Sequence, residues 1–179
     1  MLPKRKTKIA LTGGIGTGKT YISKQFLDIG IPVFYADEEA KKIYTNEKII
    51  ASLREKYQNR FFTNEQLDFS KLRLFIFSDI NHRKEIEAII HPLVMQQFEA
   101  WMLQQASDIV VLESAIIFEA GLENYFDKIF VVDAPHEVRM ARTRKRSPNI
   151  SEEELSTILK SQIPQEEKCK RAHLVIWNG

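Results

Sequence analysis

The chain has 179 residues, enough for one α/β core with an inserted region and short for two independent domains. Its hydrophobic fraction of 44% and charged fraction of 28% are ordinary for a globular protein, and Lys+Arg 26 against Asp+Glu 24 leaves a net charge of +2, too small to imply nucleic acid by bulk charge. One cysteine, Cys169, excludes an internal disulfide framework and suits a reducing compartment, and no apolar run approaches the ~18 residues of a membrane helix, so a cytoplasmic protein with no membrane or nucleic-acid partner is expected.

The segment from Met1 to Lys8 is basic and runs straight into the first predicted strand, with no secretory cleavage pattern. Ile9 to Leu11 form a short apolar run that reads as a buried strand. The stretch Gly13-Gly14-Ile15-Gly16-Thr17-Gly18-Lys19-Thr20 fits G-x-x-x-x-G-K-[ST], the phosphate-binding loop of nucleoside triphosphatases and kinases. Its glycines let the backbone curl around a polyphosphate with N–H groups pointing inward, and the helix that follows aims its positive end at the same anion. Lys19 is expected to reach the β- and γ-phosphates of ATP, and the Thr20 hydroxyl to sit on Mg²⁺. A Gly-rich turn that happens to precede a lysine is the alternative; the strand before and the helix after argue against it. In that helix Ile22, Phe26, Leu27 and Ile29 lie roughly on one face, with a stop at Gly30.

A second strand, Ile31 to Tyr35, delivers Ala36-Asp37-Glu38-Glu39 to the carboxyl edge of the sheet, where open α/β folds bind ligands. Asp37 is placed there to accept a proton from a substrate hydroxyl or to help hold Mg²⁺, or to cap the helix that follows. From Asp37 to Gln105 strand-like runs vanish and helical periodicity takes over, including Leu72, Leu74, Phe75, Ile86, Ile90, Val94 and Phe98 as core positions, with a loop or short hairpin over Asn59 to Asp68. This is more helix than one crossover requires, and it predicts an insertion that carries the second substrate. Arg83 and His91 are its candidate substrate contacts. Pro92 is expected to put His91 at a kink or helix start, and a lone histidine is also a common structural residue.

The third core strand, Ile109 to Leu112, ends at Glu113, a carboxylate placed for the Mg²⁺ shell. A fourth strand runs from Lys128 to Asp133 and a fifth from Leu174 to Trp177. Between them Arg139, Arg142 and Arg146 recur at i, i+3 and i+7. They read as the inner face of a lid over the triphosphate, with a solvated helix face or a nucleic-acid patch as the alternatives. Ser147-Pro148-Asn149 stops that helix, and Ser151 with Glu152 to Glu154 opens the next. The predicted fold is α/β of the P-loop NTPase type, a five-stranded parallel doubly wound sheet. Residues 1–36 and 106–179 would form the nucleotide-binding core with a lid over about 139–150, and 37–105 the helical insertion.

Leu11-Thr12-Gly13-Gly14-Ile15-Gly16-Thr17-Gly18-Lys19-Thr20, Ala36-Asp37, His91-Pro92, Phe118-Glu119-Ala120-Gly121, Arg139 with Arg142, Gln162, and Val175-Ile176-Trp177-Asn178-Gly179 stand in the order seen in dephospho-coenzyme A kinases. The chain resembles that family along nearly its whole length. The resemblance implies ATP-dependent phosphorylation of the ribose 3′-hydroxyl of dephospho-coenzyme A, the small-molecule partner, with the insertion binding that acceptor. It implies Asp37 as general base, Gly14 to Thr20 as the ATP loop, Arg142 as a lid residue on the nucleotide, and Asn178 near the adenine. Where the family often has Pro-Leu-Leu this chain has Ala115-Ile116-Ile117, and many members continue past the Asn-Gly pair for another helix. A monomer is expected. Other small-molecule P-loop kinases, acting on a nucleoside, a nucleoside monophosphate or shikimate, are the competing activities. A nucleotide-dependent switch is weaker, because an Asn-Lys-x-Asp base-reading motif is missing from the sequence.

Overall fold

The computed structural model describes residues 5–179; residues 1–4, the start of the basic lead-in, lie outside the described part. In chain order the elements are β1 (Thr7–Thr12), α1 (Lys19–Asp28), β2 (Val33–Tyr35), α2 (Ala36–Ile43), α3 (Glu47–Tyr57), β3 (Phe62–Thr63), β4 (Gln66–Leu67), α4 (Phe69–Ser78) and α5 (Ile80–Gln104). They continue with β5 (Ile109–Glu113), β6 (Lys128–Asp133), α6 (His136–Arg146), α7 (Glu152–Ser161), α8 (Gln165–Arg171) and β7 (Leu174–Trp177). Five strands make one sheet in the order β2-β5-β1-β6-β7, and every pairing in it is parallel. This is the α/β sheet that strands separated by helices predict.

The chain divides into two compact units, one from the residues up to Ala36 together with Ala100–Gly179, the other from Asp37–Glu99. The sheet unit is organised around β1, the middle strand. Ile9, Ala10 and Leu11 are buried there because both flanks are strands and helices cover the faces, which is why the run is continuously apolar. Ile9, Leu11, Ile22, Val33, Val111 and Val132 form the core, with Phe26 packed against it. Leu27 and Ile29, assigned from periodicity to the same face as Ile22, are exposed instead, Ile29 to 72%: Leu27, five residues on from Ile22 within α1, is turned off that face, and α1 ends at Asp28, beyond which the helical spacing no longer sets direction.

In the helical unit, α3 is capped by Asn46, whose side chain accepts from the Lys48 N–H, and α4 by Asp68, which accepts from the N–H groups of Ser70 and Lys71. Between them the stretch expected as a loop or short hairpin is a β3–β4 hairpin, with Phe62 opposite Leu67 and both turn residues, Asn64 and Glu65, at positive φ. Leu53, Phe61, Leu72, Phe75, Ile86, Ile90, Val94 and Phe98 are buried, but Leu74, expected in this core, is 72% exposed. It falls between the inward positions 72 and 75 on α4. Helix α5 runs unbroken through Pro92, so His91 is not at a helix start; the buried row Ile86, Ile90, Val94 and Phe98 continues on both sides and offsets the lost hydrogen bond.

Candidate active site

The loop between β1 and α1 leaves the carboxyl edge of the central strand, where Leu11 pairs with Glu113 on one side and Thr12 with Val131 on the other. Gly16 and Gly18 have φ of 78° and 91°, values that favour glycine. Space makes the same demand: a Cβ on Gly16 would collide with the Arg139 carbonyl, and one on Gly18 with the side-chain amide of Asn178. The glycine spacing of the motif is therefore dictated by what surrounds the loop as well as by what the loop would bind.

Side chains from distant parts of the chain hold the loop's backbone. The Gly14 N–H donates to Gln165 Oε1 at 2.8 Å and the Ile15 N–H to Gln162 Oε1 at 3.1 Å. Arg139 Nε donates to the Ile15 carbonyl at 3.2 Å, and the Asn178 side-chain amide to the Thr17 carbonyl at 2.9 Å. Within the loop, the Thr17 hydroxyl and the Lys19 ammonium each donate at 3.0 Å, to the Gly14 and Gly13 carbonyls. Among the described residues the N–H groups of Gly16 and Gly18 have no acceptor in the protein, which leaves two open donors in the loop ahead of a helix.

The three arginines grouped on one face of α6 are separated by the structure. Arg139 is 8% exposed and packs under the loop; burial lowers its pKa below the ordinary value, against the pull of Asp133 and Glu166. Arg142 is half-buried and donates to the Asn178 carbonyl at 2.7 Å, and Arg146 is exposed. Asn178 thus touches the loop on one side and Arg142 on the other. Gln165 and Thr143, whose hydroxyl donates to the Arg139 carbonyl at 2.8 Å, belong to this cage and were not singled out by the sequence. No local pattern marks Gln165, because the Gly14 N–H it meets is 151 residues away, and the bond of Thr143 to the carbonyl four residues back is one that any helical threonine can make.

Glu113 ends β5 and is buried at the same sheet edge, where the Ser23 hydroxyl donates to its Oε2 at 3.3 Å. Ser23 lies one turn beyond Thr20 on α1. Thr20 is exposed, and its hydroxyl makes no hydrogen bond among the described residues. Tyr35, paired with Glu113, is the last residue of β2, and two residues on comes Asp37. Helix α2 begins at Ala36, so Asp37 is inside its first turn and does not serve as its cap; it is exposed.

On α5, Arg83, Glu87 and His91 follow at intervals of four and share one face. Arg83 Nε meets Glu87 Oε1 at 2.6 Å. Burial lowers the His91 pKa, Glu87 opposes that shift and Arg83 adds to it. Glu87 also adds to the burial that pushes the Tyr44 phenol up to about 12.

A parallel sheet in this order, with G-x-x-x-x-G-K-T joining its central strand to a helix, defines a P-loop kinase. The solved structures it resembles include TT1252 from Thermus thermophilus, at a TM-score of 0.89 and 31% identity over 98% of this chain and 90% of that one. The dephospho-CoA kinase of Campylobacter jejuni (TM-score 0.58, 24% identity, 98% and 89% covered) and a shikimate kinase of Acinetobacter baumannii (0.53, 18%, 98% and 86%) share the fold. The family profile described as dephospho-CoA kinase matches residues 7–179. Dephospho-CoA kinases of Bacteroides fragilis and Mesorhizobium japonicum are each 36% identical over 96% of this chain, covering 84% and 87% of their own length. The chain belongs to the dephospho-CoA kinase family.

Proposed function

We propose that this chain transfers the γ-phosphoryl group of ATP to the ribose 3′-hydroxyl of dephospho-coenzyme A, releasing coenzyme A and ADP. The observation that carries the reading is the family match over residues 7–179, which takes in both the phosphate loop and the helical unit. We assign residues 1–36 and 106–179 to nucleotide binding, with a lid over about 139–150, and 37–105 to the acceptor. The proposed compartment is the cytoplasm and the proposed state a monomer; no helix among the described residues is long and apolar enough to cross a membrane.

In this reading the Gly13–Thr20 loop cradles the triphosphate, which its open backbone N–H groups, those of Gly16 and Gly18 among them, would bind. Lys19 turns from the Gly13 carbonyl to the β- and γ-phosphates, whose charged oxygens bind an ammonium more strongly than a neutral carbonyl does. Arg142 neutralises charge that spreads over the transferring group. Asp37, exposed and with no hydrogen-bond partner among the described residues, is free to orient the acceptor hydroxyl and take its proton. Arg139 and Asn178 act on the nucleotide through the loop they hold, and Arg83 and His91 contact the acceptor. Mg²⁺ fits the oxygen donors at hand, the open Thr20 hydroxyl and the Glu113 carboxylate, because this ion takes only one or two protein oxygens beside substrate phosphates. When bound it would lower the charge on the β- and γ-oxygens.

The product tests the assignment. Chromatography of a reaction with ATP, Mg²⁺ and dephospho-coenzyme A is expected to give a species that co-elutes with coenzyme A and reverts to substrate on treatment with a 3′-nucleotidase. A product phosphorylated elsewhere, or no product while ATP is bound, would refute it.

A further inference from the structure

We propose that Gln162 and Gln165 are positioning residues of the transfer reaction, which hold the Ile15 and Gly14 N–H groups and so set the shape of the phosphate loop before nucleotide arrives. The inference rests on reading Gly13–Thr20 as the triphosphate site.

Gln165 is 6% exposed, and both ends of its amide are used: the oxygen accepts from the Gly14 N–H, and the nitrogen donates to the Val132 carbonyl at 2.9 Å. A donor at one end and an acceptor at the other fix the orientation of the amide. The side chain is a strut between the end of β6 and the entry of the loop. Gln162, half-buried at the end of α7, makes the matching bond to the next residue, Ile15.

The four-residue segment from Gln162 to Gln165 is itself anchored from behind. The Ile163 N–H donates to Glu119 Oε1 at 2.8 Å, and the same oxygen lies 2.8 Å from Lys168 Nζ. Lys168 is fully buried and also donates to the Ala115 carbonyl at 2.7 Å. Pro164 holds φ at −50° at the start of α8. With an ion pair behind and a proline between, the distance either glutamine can reach toward the loop is set by the fold.

The consequence is a division of labour among the loop's donors. Gly14 and Ile15 spend their N–H groups on side chains from elsewhere in the protein and Thr17 its own on the Gly14 carbonyl, while those of Gly16 and Gly18 stay open among the described residues. A loop held this way loses less freedom when an anion arrives, which is how preorganisation raises affinity. Neither amide oxygen contacts phosphate in this account, since acceptors repel an anion. Both residues act through the loop.

Methionine keeps the length of glutamine and removes the acceptor. In nucleotide-free protein, amide exchange over the Gly13–Ile15 segment is expected to accelerate about tenfold in Gln162→Met and in Gln165→Met, the equivalent of one lost hydrogen bond, with exchange over Ile9–Leu11 unchanged. Calorimetric titration with ADP should show binding weakened by a similar factor. The KM for ATP should rise accordingly, while the KM for dephospho-coenzyme A, at saturating ATP, holds. A role confined to overall stability would lower the melting temperature and move neither the local exchange nor the KM ratio. If Gln165→Met fails to fold, the half-buried Gln162→Met carries the test alone. ADP affinity and local exchange within twofold of wild type in the folded variants would overturn the proposal by itself. A wild-type chain that does not bind ADP would overturn the loop reading, and the proposal with it.

Discussion

The phosphate loop and the helical unit of Asp37–Glu99 arrange their polar groups in opposite ways. The loop's partners Gln162, Gln165, Arg139 and Asn178 stand 124 to 161 positions away in the chain, so the cage exists only once β6, α8 and β7 have joined the sheet. In the helical unit the side-chain bonds reach much less far: Asp68 to Ser70, Lys71 and Thr63, Asn46 to Lys48 and Arg83 to Glu87 stay within five residues, and the longer ones, Arg54 to the Glu65 carbonyl and Tyr57 to Glu85, span 11 and 28. Long-range contacts are expensive to close and form together; local ones follow from helix capping and spacing. The comparison teaches that the loop's cage is a product of the whole sheet unit, whereas the helical unit ties its polar groups mostly within a hairpin or a helical turn, with Tyr57 to Glu85 as a longer tie.

The largest expected effect lies on the helical side, where one exposed carboxylate is assigned the chemistry. Asp37→Asn should cost about 10²–10⁴-fold in kcat with the KM for ATP nearly unchanged, measured by coupled ADP release; turnover near wild type would refute the base assignment. Next comes the buried anchor of the sheet side. Lys168→Met leaves Glu119, its side chain 9% exposed, without its cation and should lower unfolding free energy by about 3–5 kcal/mol in urea titration, and a loss below about 1 kcal/mol would show that the pair is not the anchor described. Gly16→Ala pits a left-handed φ and the Arg139 carbonyl against one methyl. It should cost about 1–3 kcal/mol of stability and reduce ADP affinity, and retention of both would mean that the loop is softer than its cage suggests.

How far the sequence could be read follows the same division. The G-x-x-x-x-G-K-T spacing, the continuous apolar strands and the caps at Asp68 and Ser151 are local signals, and they led to the α/β sheet and the family. The helix start that Pro92 offered as one reading for His91 is absent because buried neighbours on α5 outweigh one missing donor, which a propensity rule cannot weigh. Arg139, Arg142 and Arg146 share a helical face, yet one is buried, one is bonded and one is exposed, since tertiary contacts vary along the face. Gln165 and Thr143 gave no signal at all: a glutamine that meets a backbone N–H 151 residues away looks like any other glutamine in the sequence.

The smallest effect expected is acid-dependent and belongs to the helical unit. Burial lowers the His91 pKa in the folded chain, so between that value and the unfolded one, near 6.5, only the unfolded chain takes up the proton. The stability held by neutral His91 is fully present above pH 6.5 and falls as pH drops toward the depressed value. Melting curves from pH 8 to pH 5 should show this slope, and His91→Gln should flatten it. An unchanged slope in that variant would assign the proton uptake to another group.

Acceptor choice tests the central claim most directly. Coupled ADP release would be measured with ATP, Mg²⁺ and each of dephospho-coenzyme A, adenosine, AMP and shikimate, in parallel and at equal concentration. The account predicts turnover with dephospho-coenzyme A and background rates with the other three. Turnover with shikimate or a nucleoside, and none with dephospho-coenzyme A, would contradict it while leaving the P-loop kinase fold in place.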